Sequence, residues 1–86
     1  MYQYEMEKPA LFTEHGSRTF LSIRDRTHRL LKEAGAVRMQ EAMGGHSGDS
    51  WFLLACVDRL VELGEIREIT KNGVIGQHRV FVSTAC

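Results

Sequence analysis

Four histidines and two cysteines are the side chains of this sequence with the widest chemical range. The histidines are scattered over a turn, a helix, a loop and a strand of the predicted structure, at positions His15, His28, His46 and His78. None of them stands at metal-ligand spacing to another histidine or to a cysteine. A nucleophile, a general base and an orienting group cannot be assembled from them. The sequence therefore predicts no catalytic residue, no metal site and no cofactor, and it argues against an enzyme.

The cysteines and the glycine-rich segment also have plain interpretations. Cys56 falls within the apolar arc of a predicted helix, so we expect a small core residue, and together with Cys86 it does not make a disulfide framework. Residues 44–48 have the composition of a phosphate loop but follow no strand and precede no lysine, so we interpret them as a connector. These features favour a reduced, cytoplasmic protein.

The N-terminus and the hydropathy pattern bear on the membrane. The first residues lack the basic and apolar regions of a secretory signal, so we expect none. No apolar run approaches the roughly 20 residues that span a bilayer. The sequence therefore predicts no membrane partner.

The eleven basic residues are distributed unevenly, although the net charge is zero. Residues 18–38 carry six cations and two acids, whereas residues 39–65 carry five acids and one arginine. A contact with nucleic acid must therefore be local, because the molecule has no overall charge that attracts phosphate. A candidate phosphate-contacting strip combines cations of the first predicted helix and of the C-terminal strands: Arg24, Arg29, Lys32, Arg67, Lys71 and Arg79. The alternative is a solvated helix face with acid–base pairs at i, i+4 spacing.

A later predicted helix, starting near residue 50, presents an unusual face to solvent. Outside its apolar arc, the residues that could bind a partner are Trp51, Asp58, Arg59 and Glu62. Helices that read a DNA groove normally offer arginine, lysine, asparagine or glutamine to bases and phosphates. Two carboxylates on this face therefore argue against major-groove readout and favour a protein partner. Trp51 is either an exposed hot spot for that partner or is covered by an N-terminal strand containing Tyr2 and Tyr4, and we expect the second arrangement.

The elements that position these residues begin with an extended N-terminal segment. Residues 1–6 alternate in polarity, and Pro9 ends that run. A second short extended pair is predicted around a turn at residues 15–17. Ser22 and Asp25 then have the spacing of a capping box, which predicts a first helix from Ser22 to a glycine stop at position 35.

Two more helices follow. A short one is predicted over residues 39–43. The third begins after a cap at Asp49 or Ser50 and runs to Leu63, where Gly64 ends it.

The C-terminal residues predict a β-hairpin. Residues 65–70 and 78–83 alternate as strands, and Asn72-Gly73 between them is a strong hairpin signal. A tight turn would pair Ile66 with Arg79. A longer loop would place Ile66 opposite Val80, and burial of both side chains favours that register.

Three helices followed directly by a hairpin resemble the winged helix-turn-helix superfamily. The resemblance covers residues 22–83, and it is carried by two apolar-and-glycine patterns, Leu30 to Gly35 and Leu60 to Gly64. The connection 44–50 is longer than the usual tight turn between the second and third helices. The resemblance implies an α+β winged-helix domain over 22–86, preceded by an extension over 1–21 with short strands.

The resemblance also implies a function. In this superfamily the third helix usually enters the major groove, and the wing touches the DNA backbone or minor groove. We therefore expect a nucleic-acid-binding, transcription-regulator type of module whose partner is duplex DNA. The alternative is a winged-helix protein-interaction module that does not bind DNA and pairs with another protein, or as a homodimer, through its N-terminal strand or third helix.

Overall fold

The computed structural model of the chain describes residues 1–44, 50–71, 74 and 76–84. Within these residues it is an α+β fold of four α-helices, two short 3₁₀-helices and one three-stranded antiparallel sheet. The helices are α1 (Tyr4–Glu7), α2 (Glu14–Ala34), α3 (Met39–Met43) and α4 (Ser50–Glu62), with 3₁₀-helices at Lys8–Phe12 and Gly76–His78. The strands are β1 (Val37–Arg38), β2 (Ile66–Glu68) and β3 (Val80–Ser83). The α+β class is confirmed, and the three predicted helices correspond to α2, α3 and α4.

Helix α2 begins more than two turns earlier than the sequence pattern predicts. Its N-cap is Thr13, whose Oγ1 accepts a hydrogen bond from the Gly16 amide at 3.0 Å. The predicted cap at Ser22 is therefore wrong, and so is the predicted turn at 15–17, because these residues lie within the helix. Ser22 and Asp25 are exposed on α2, so their capping-box spacing reflects two polar residues on its solvent side.

The first turn of α2 approaches the preceding 3₁₀-helix at a distance that only glycine allows. A Cβ atom on Gly16 would lie 1.8 Å from the carbonyl oxygen of Ala10. Two side chains close this corner: Thr13 Oγ1 donates to Ala10 O at 2.8 Å, and Ser17 Oγ donates to Leu11 O at 3.0 Å. Leu11 is buried here. The corner directs the N-terminal residues back over the helices.

The N-terminal residues are helical rather than extended. Residues 4–12 form α1 and the first 3₁₀-helix, so the predicted N-terminal strands are wrong. The alternation has another cause, because the hydroxyls of Tyr2 and Tyr4 bind α4 while Gln3 and Glu5 are exposed. Met6, which continues the alternation in sequence, is 73% exposed. Two tyrosines at i and i+2 are too few to indicate a strand, because a helical segment whose tyrosines both reach a neighbouring helix shows the same alternation.

The sheet has the strand order β1-β3-β2, and both pairs are antiparallel. β1 lies in the link between α2 and α3, and it places Val37 opposite Phe81 of β3. The strands are therefore not all C-terminal. Phe81 points inward from this central strand and is fully buried.

Both hairpin registers considered from the sequence are wrong. The structure places Ile66 opposite Ser83, so the link between β2 and β3 is longer than a hairpin loop and contains the second 3₁₀-helix. Burial explains why the Val80 register fails, because Ile66 and Phe81 are 1% and 0% exposed on the inner face of the sheet, whereas Val80 is only partly buried. The predicted turn at Asn72-Gly73 lies outside the described residues.

The core lies between α2, α3, α4 and the inner face of the sheet. Its largest fully buried apolar side chains come from all four of these elements: Phe81, Ile23, Met39, Leu60, Ile66, Val37 and Val57. The apolar arc predicted for α4 is confirmed for Leu53, Cys56, Val57 and Leu60, which are buried, and is wrong for Leu63, which is 47% exposed. Because this arc faces the core, the opposite side of α4 remains for other contacts.

Candidate interaction surface on the fourth helix

Away from its buried face, α4 carries a row formed by Trp51, Leu54, Asp58 and Glu62, which we call the α4 stripe; Leu54 lies at its margin and packs against the core. These positions are three or four residues apart, so they follow one another along one side of the helix. The stripe is apolar at its N-terminal end and acidic at its C-terminal end. Trp51 is 42% exposed, whereas both carboxylates are bound by other parts of the chain.

Asp58 joins the N-terminus and the sheet to the middle of α4. The Tyr2 hydroxyl donates to Asp58 Oδ2 at 2.6 Å, and the Arg79 guanidinium binds both carboxylate oxygens, at 2.7 and 3.3 Å. Arg79 also donates to both oxygens of Glu68, at 2.8 and 3.0 Å, and lies 5.2 Å from the centre of the Phe81 ring. Burial alone would lower the pKa of Arg79, but the hydrogen bonds and charges of Glu68 and Asp58 outweigh it and raise that pKa. With its side chain only 18% exposed, Arg79 is a structural cation.

Glu62 binds three donors one turn further along α4. The Tyr4 hydroxyl donates to Oε1 at 2.8 Å, Lys8 Nζ donates to Oε2 at 2.9 Å, and Arg59 Nη1 donates to Oε1 at 2.5 Å. These hydrogen bonds, from Lys8 first and then from Tyr4 and Arg59, lower the pKa of Glu62 to about 2. The carboxylate is therefore ionised and occupied at neutral pH.

Residues 1–8, which we call the arm, supply three of the donors that reach the α4 stripe. Helix α1, within the arm, contains no buried residue, although the Tyr4 ring packs against the edge of the core. Burial, and then the hydrogen bond to the facing carboxylate, raise the pKa of both Tyr2 and Tyr4. The Lys8 ammonium also lies 5.8 Å from the centre of the Tyr4 ring. The arm is thus held to α4 largely by hydroxyl, ammonium and carboxylate groups.

The hydroxyls of the N-terminal tyrosines bind α4 away from Trp51. Tyr2 and Tyr4 bind Asp58 and Glu62, which lie about two and three helical turns beyond Trp51. Trp51 remains 42% exposed, so the expectation that the N-terminal segment buries it is wrong. The segment does fold across α4, but it is drawn to the acidic end of the stripe.

The four residues predicted to bind a partner thus divide into two groups. Asp58 and Glu62 are occupied by the arm, and Arg59 is paired with Glu62 and lies 5.3 Å from the centre of the Phe12 ring. Trp51 stays exposed. Sequence reasoning missed Tyr2, Tyr4 and Lys8 as the groups that occupy the carboxylates. The sequence offered one signal for such donors: Asp58 and Glu62 stand at i, i+4 on a helix with a single arginine, so one of the two carboxylates needs a donor from elsewhere.

The six cations of the predicted phosphate-contacting strip also divide. Arg24 Nε donates to Glu65 Oε1 at 2.9 Å, beside His28 Nε2 at 2.6 Å from the same oxygen, and Arg79 is bound by two carboxylates. Within the part of the chain that the structure describes, the other four cations are exposed and form no ion pair: Arg29, Lys32, Arg67 and Lys71. Arg29 and Lys32 lie on α2, Arg67 lies on β2 and Lys71 follows it. The strip is therefore reduced to these four side chains.

Further observations on the described residues concern the Cys56 thiol, metal binding and the membrane. Burial raises the pKa of the Cys56 thiol to about 12, so this cysteine stays protonated within the core at neutral pH. Among residues 1–44, 50–71, 74 and 76–84, no group of three or more histidine, cysteine or acidic side chains is placed to hold a metal ion. The helices of these ranges are all too short or too polar to cross a membrane.

Comparisons with known proteins add no relative. No protein-family model matches the chain, and no curated protein or solved structure shows significant similarity to it. The interactions of the α4 stripe are therefore the basis on which a function can be argued.

Proposed function

We propose that the chain is a winged helix-turn-helix domain that binds a protein partner through the N-terminal half of α4 and the neighbouring wing. The winged-helix assignment is supported by the succession of α2, α3 and α4, followed by the antiparallel pair β2–β3. Apart from the start of α2, which lies at residues 14–21, these elements fall within residues 22–83, whose sequence pattern resembles that superfamily. The wing consists of β2, β3 and the link between them.

The observation that carries the protein-binding assignment is the division of the α4 stripe. In a winged helix this is the helix that would enter a DNA groove, but its acidic end is covered by the chain's own arm. Trp51, at the other end, is 42% exposed, and large exposed aromatic side chains are typical hot spots of protein interfaces. On the wing, Ile69 and Val74 are 49% and 39% exposed. These apolar side chains suit a protein surface better than a phosphate backbone.

Site-specific photo-cross-linking tests this proposal and captures the partner whatever its identity. Trp51 is replaced by the photoreactive residue p-benzoylphenylalanine in the full chain, which is then irradiated in cells of its source. Because the partner lies against Trp51, we expect a discrete higher-mass protein adduct that mass spectrometry identifies as another protein or a second copy.

The matched control places the same photoreactive residue at Leu21. This leucine is 49% exposed, close to the value for Trp51, but lies on α2. Adducts that form equally at both positions reflect random collisions. Absence of an adduct specific to position 51 would contradict the proposal.

Nucleic-acid binding is the second candidate function, and one observation favours it. The four exposed cations Arg29, Lys32, Arg67 and Lys71 have no carboxylate partner among the described residues, so their charge is available to phosphates. In this alternative, α2 and the wing would contact the backbone, and α4 would not read bases.

Fluorescence anisotropy with a labelled DNA duplex tests the second candidate. It requires binding at about 50 mM salt that weakens steeply as salt rises. Arg67→Glu with Lys71→Glu should abolish this binding, whereas Arg18→Glu, on an arginine outside the strip that already pairs with Glu14, should reduce it little. No detectable affinity at the lowest salt would exclude this function.

A further inference from the structure

The arm is attached to α4 in a way that allows its release. Its three hydrogen bonds to the stripe are a hydroxyl bond to Asp58 and a hydroxyl and an ammonium bond to Glu62, at 2.6, 2.8 and 2.9 Å, and the Tyr4 ring adds an apolar contact with the edge of the core. Lys8 and Glu62 are about a third exposed at their side chains, and α1 contains no buried residue. Segments with few buried apolar contacts open locally without global unfolding. The firm anchor comes later, at Leu11 and the corner with α2.

The surface beneath the arm has a defined chemistry. Without the arm, Asp58 keeps Arg79 and Glu62 keeps Arg59, so both carboxylates still have an internal partner. Counting Glu68, which shares Arg79, the cluster then holds three carboxylates and two guanidinium groups. The net charge of this cluster is −1, and two carboxylate oxygens lose a hydroxyl donor. A ligand that fits must supply a cation and neutral hydroxyl donors, and the arm supplies both with Lys8 and its tyrosines.

We infer that the arm is an intramolecular latch that occupies a docking site for a partner segment carrying a tyrosine and a lysine. The site is the acidic end of the α4 stripe, and the partner displaces Tyr2, Tyr4 and Lys8 with side chains of the same chemistry. This inference rests on the proposed function, in which α4 is the interaction surface, and extends that surface from Trp51 to Glu62. It also makes binding conditional, because the partner competes with a tethered segment at high effective concentration.

A synthetic peptide with the sequence of residues 1–12 and a fluorophore at its C-terminus is the probe. Its affinity is measured by anisotropy for the wild-type chain and for a full-length variant with Tyr2→Phe, Tyr4→Phe and Lys8→Gln. The phenylalanines keep the rings, so the variant loses only the donors. If the arm covers the site in more than about nine tenths of the wild-type molecules, the variant binds the peptide at least about tenfold more tightly.

Two further variants make the result specific. Lys32→Gln, on the exposed side of α2, removes a lysine away from the stripe and should leave the affinity at the wild-type level. Adding Glu62→Gln to the arm-weakened variant should weaken peptide binding about tenfold or more, because the peptide lysine loses its carboxylate. Circular dichroism confirms that each variant is folded.

Three outcomes would overturn the latch. The first is equal peptide affinity for the wild type and the arm-weakened variant, and the second is binding that survives Glu62→Gln. The third is a wild-type dimer in sedimentation equilibrium that dissociates in the arm-weakened variant, because the arm would then occupy a second copy. The peptide test does not depend on an adduct at Trp51, so failure of the latch and failure of the proposed function are distinguishable.

Discussion

Leu60 and Glu62 are two residues apart on α4, yet they face surfaces that are held together by different interactions. Leu60 is fully buried with Val57 and Phe81, in a core that excludes water. Glu62 lies under the arm and is held by three donors that are partly exposed to solvent. The inner side of α4 therefore depends on burial, whereas the outer side depends on charge and hydrogen bonding.

This difference assigns the two sides different roles. Burial of apolar surface involves no titrating group and no charge that salt can screen, so the inner side can fix the fold. Exposed ion pairs contribute little to stability and are weakened by salt, so the outer side can open while the fold persists. A switchable contact therefore belongs on the outer side.

The largest expected change in the free energy of unfolding comes from the core that the inner side of α4 faces. Phe81→Ala leaves a cavity where a fully buried ring packed against the helices, and should cost about 4 kcal/mol of the free energy of unfolding. Urea denaturation followed by circular dichroism measures this. Val82→Ala, on the same strand but with a partly buried side chain, is the control and should cost distinctly less. Equal losses would mean that the two faces of β3 do not differ in burial.

A smaller effect is expected where the two sides meet, at Arg79. Arg79→Met keeps most of the apolar stem but leaves Asp58 and Glu68 facing each other without their cation, so unfolding free energy should fall by about 2 kcal/mol. Arg67→Met on the neighbouring strand removes an exposed arginine and should change stability by less than about 0.5 kcal/mol. A similar effect of both substitutions would show that Arg79 is no more structural than a surface cation.

The inner side is also the part that the sequence predicts well. The apolar arc of α4 is readable because the helical period repeats over thirteen residues, and the structure buries the middle of that arc while leaving Leu63 at its end exposed. The register of β2 and β3 is not readable in the same way. It depends on β1, which pairs with β3 and requires Phe81 rather than Val80 to face inward.

The outer side could not be predicted from local pattern. Tyr2 and Asp58 are 56 positions apart in sequence, and Tyr4 and Glu62 are 58 positions apart, so no local period links them. The N-terminal alternation and the capping-box spacing at Ser22 both indicate plausible local structures. Tertiary contacts with α4 and the tight corner at Gly16 override them.

Thr27 on α2 sharpens the contrast, because it places a polar atom in the buried core that the inner side of α4 faces. Its Oγ1 is fully buried and has no hydrogen-bond partner among the described residues. Thr27→Val removes this hydroxyl and should raise the free energy of unfolding by about 1 kcal/mol. Thr19→Val on the same helix is the control, because Thr19 Oγ1 donates to His15 O at 3.2 Å and its loss should bring no gain. A loss of stability in Thr27→Val would mean that the hydroxyl has a partner in solution.

Titration of the two arm tyrosines tests the outer side of α4 most directly. It also involves the smallest expected change in stability. The chain has two tyrosines, and both lie in the arm, so the near-ultraviolet absorbance of tyrosinate reports on the arm alone. The pKa of each is raised in the folded chain by burial and then by its carboxylate. The stabilisation from the hydroxyl bonds is therefore fully present below the ordinary tyrosine pKa of about 10, declines as pH rises above that value, and is lost as pH passes through the raised pKa of each folded tyrosine.

We accordingly expect the folded chain to form tyrosinate at higher pH than the same chain in urea. Glu62→Gln removes the carboxylate that faces Tyr4, so it should lower the pKa of Tyr4 and leave that of Tyr2 raised, and the two titration steps should move further apart. This separation follows from the geometry, because Tyr2 binds Asp58 and only Tyr4 binds Glu62. Identical titrations in the folded and unfolded chains would show that the arm is detached from α4 in solution, and the contrast between the two sides of the helix would then disappear.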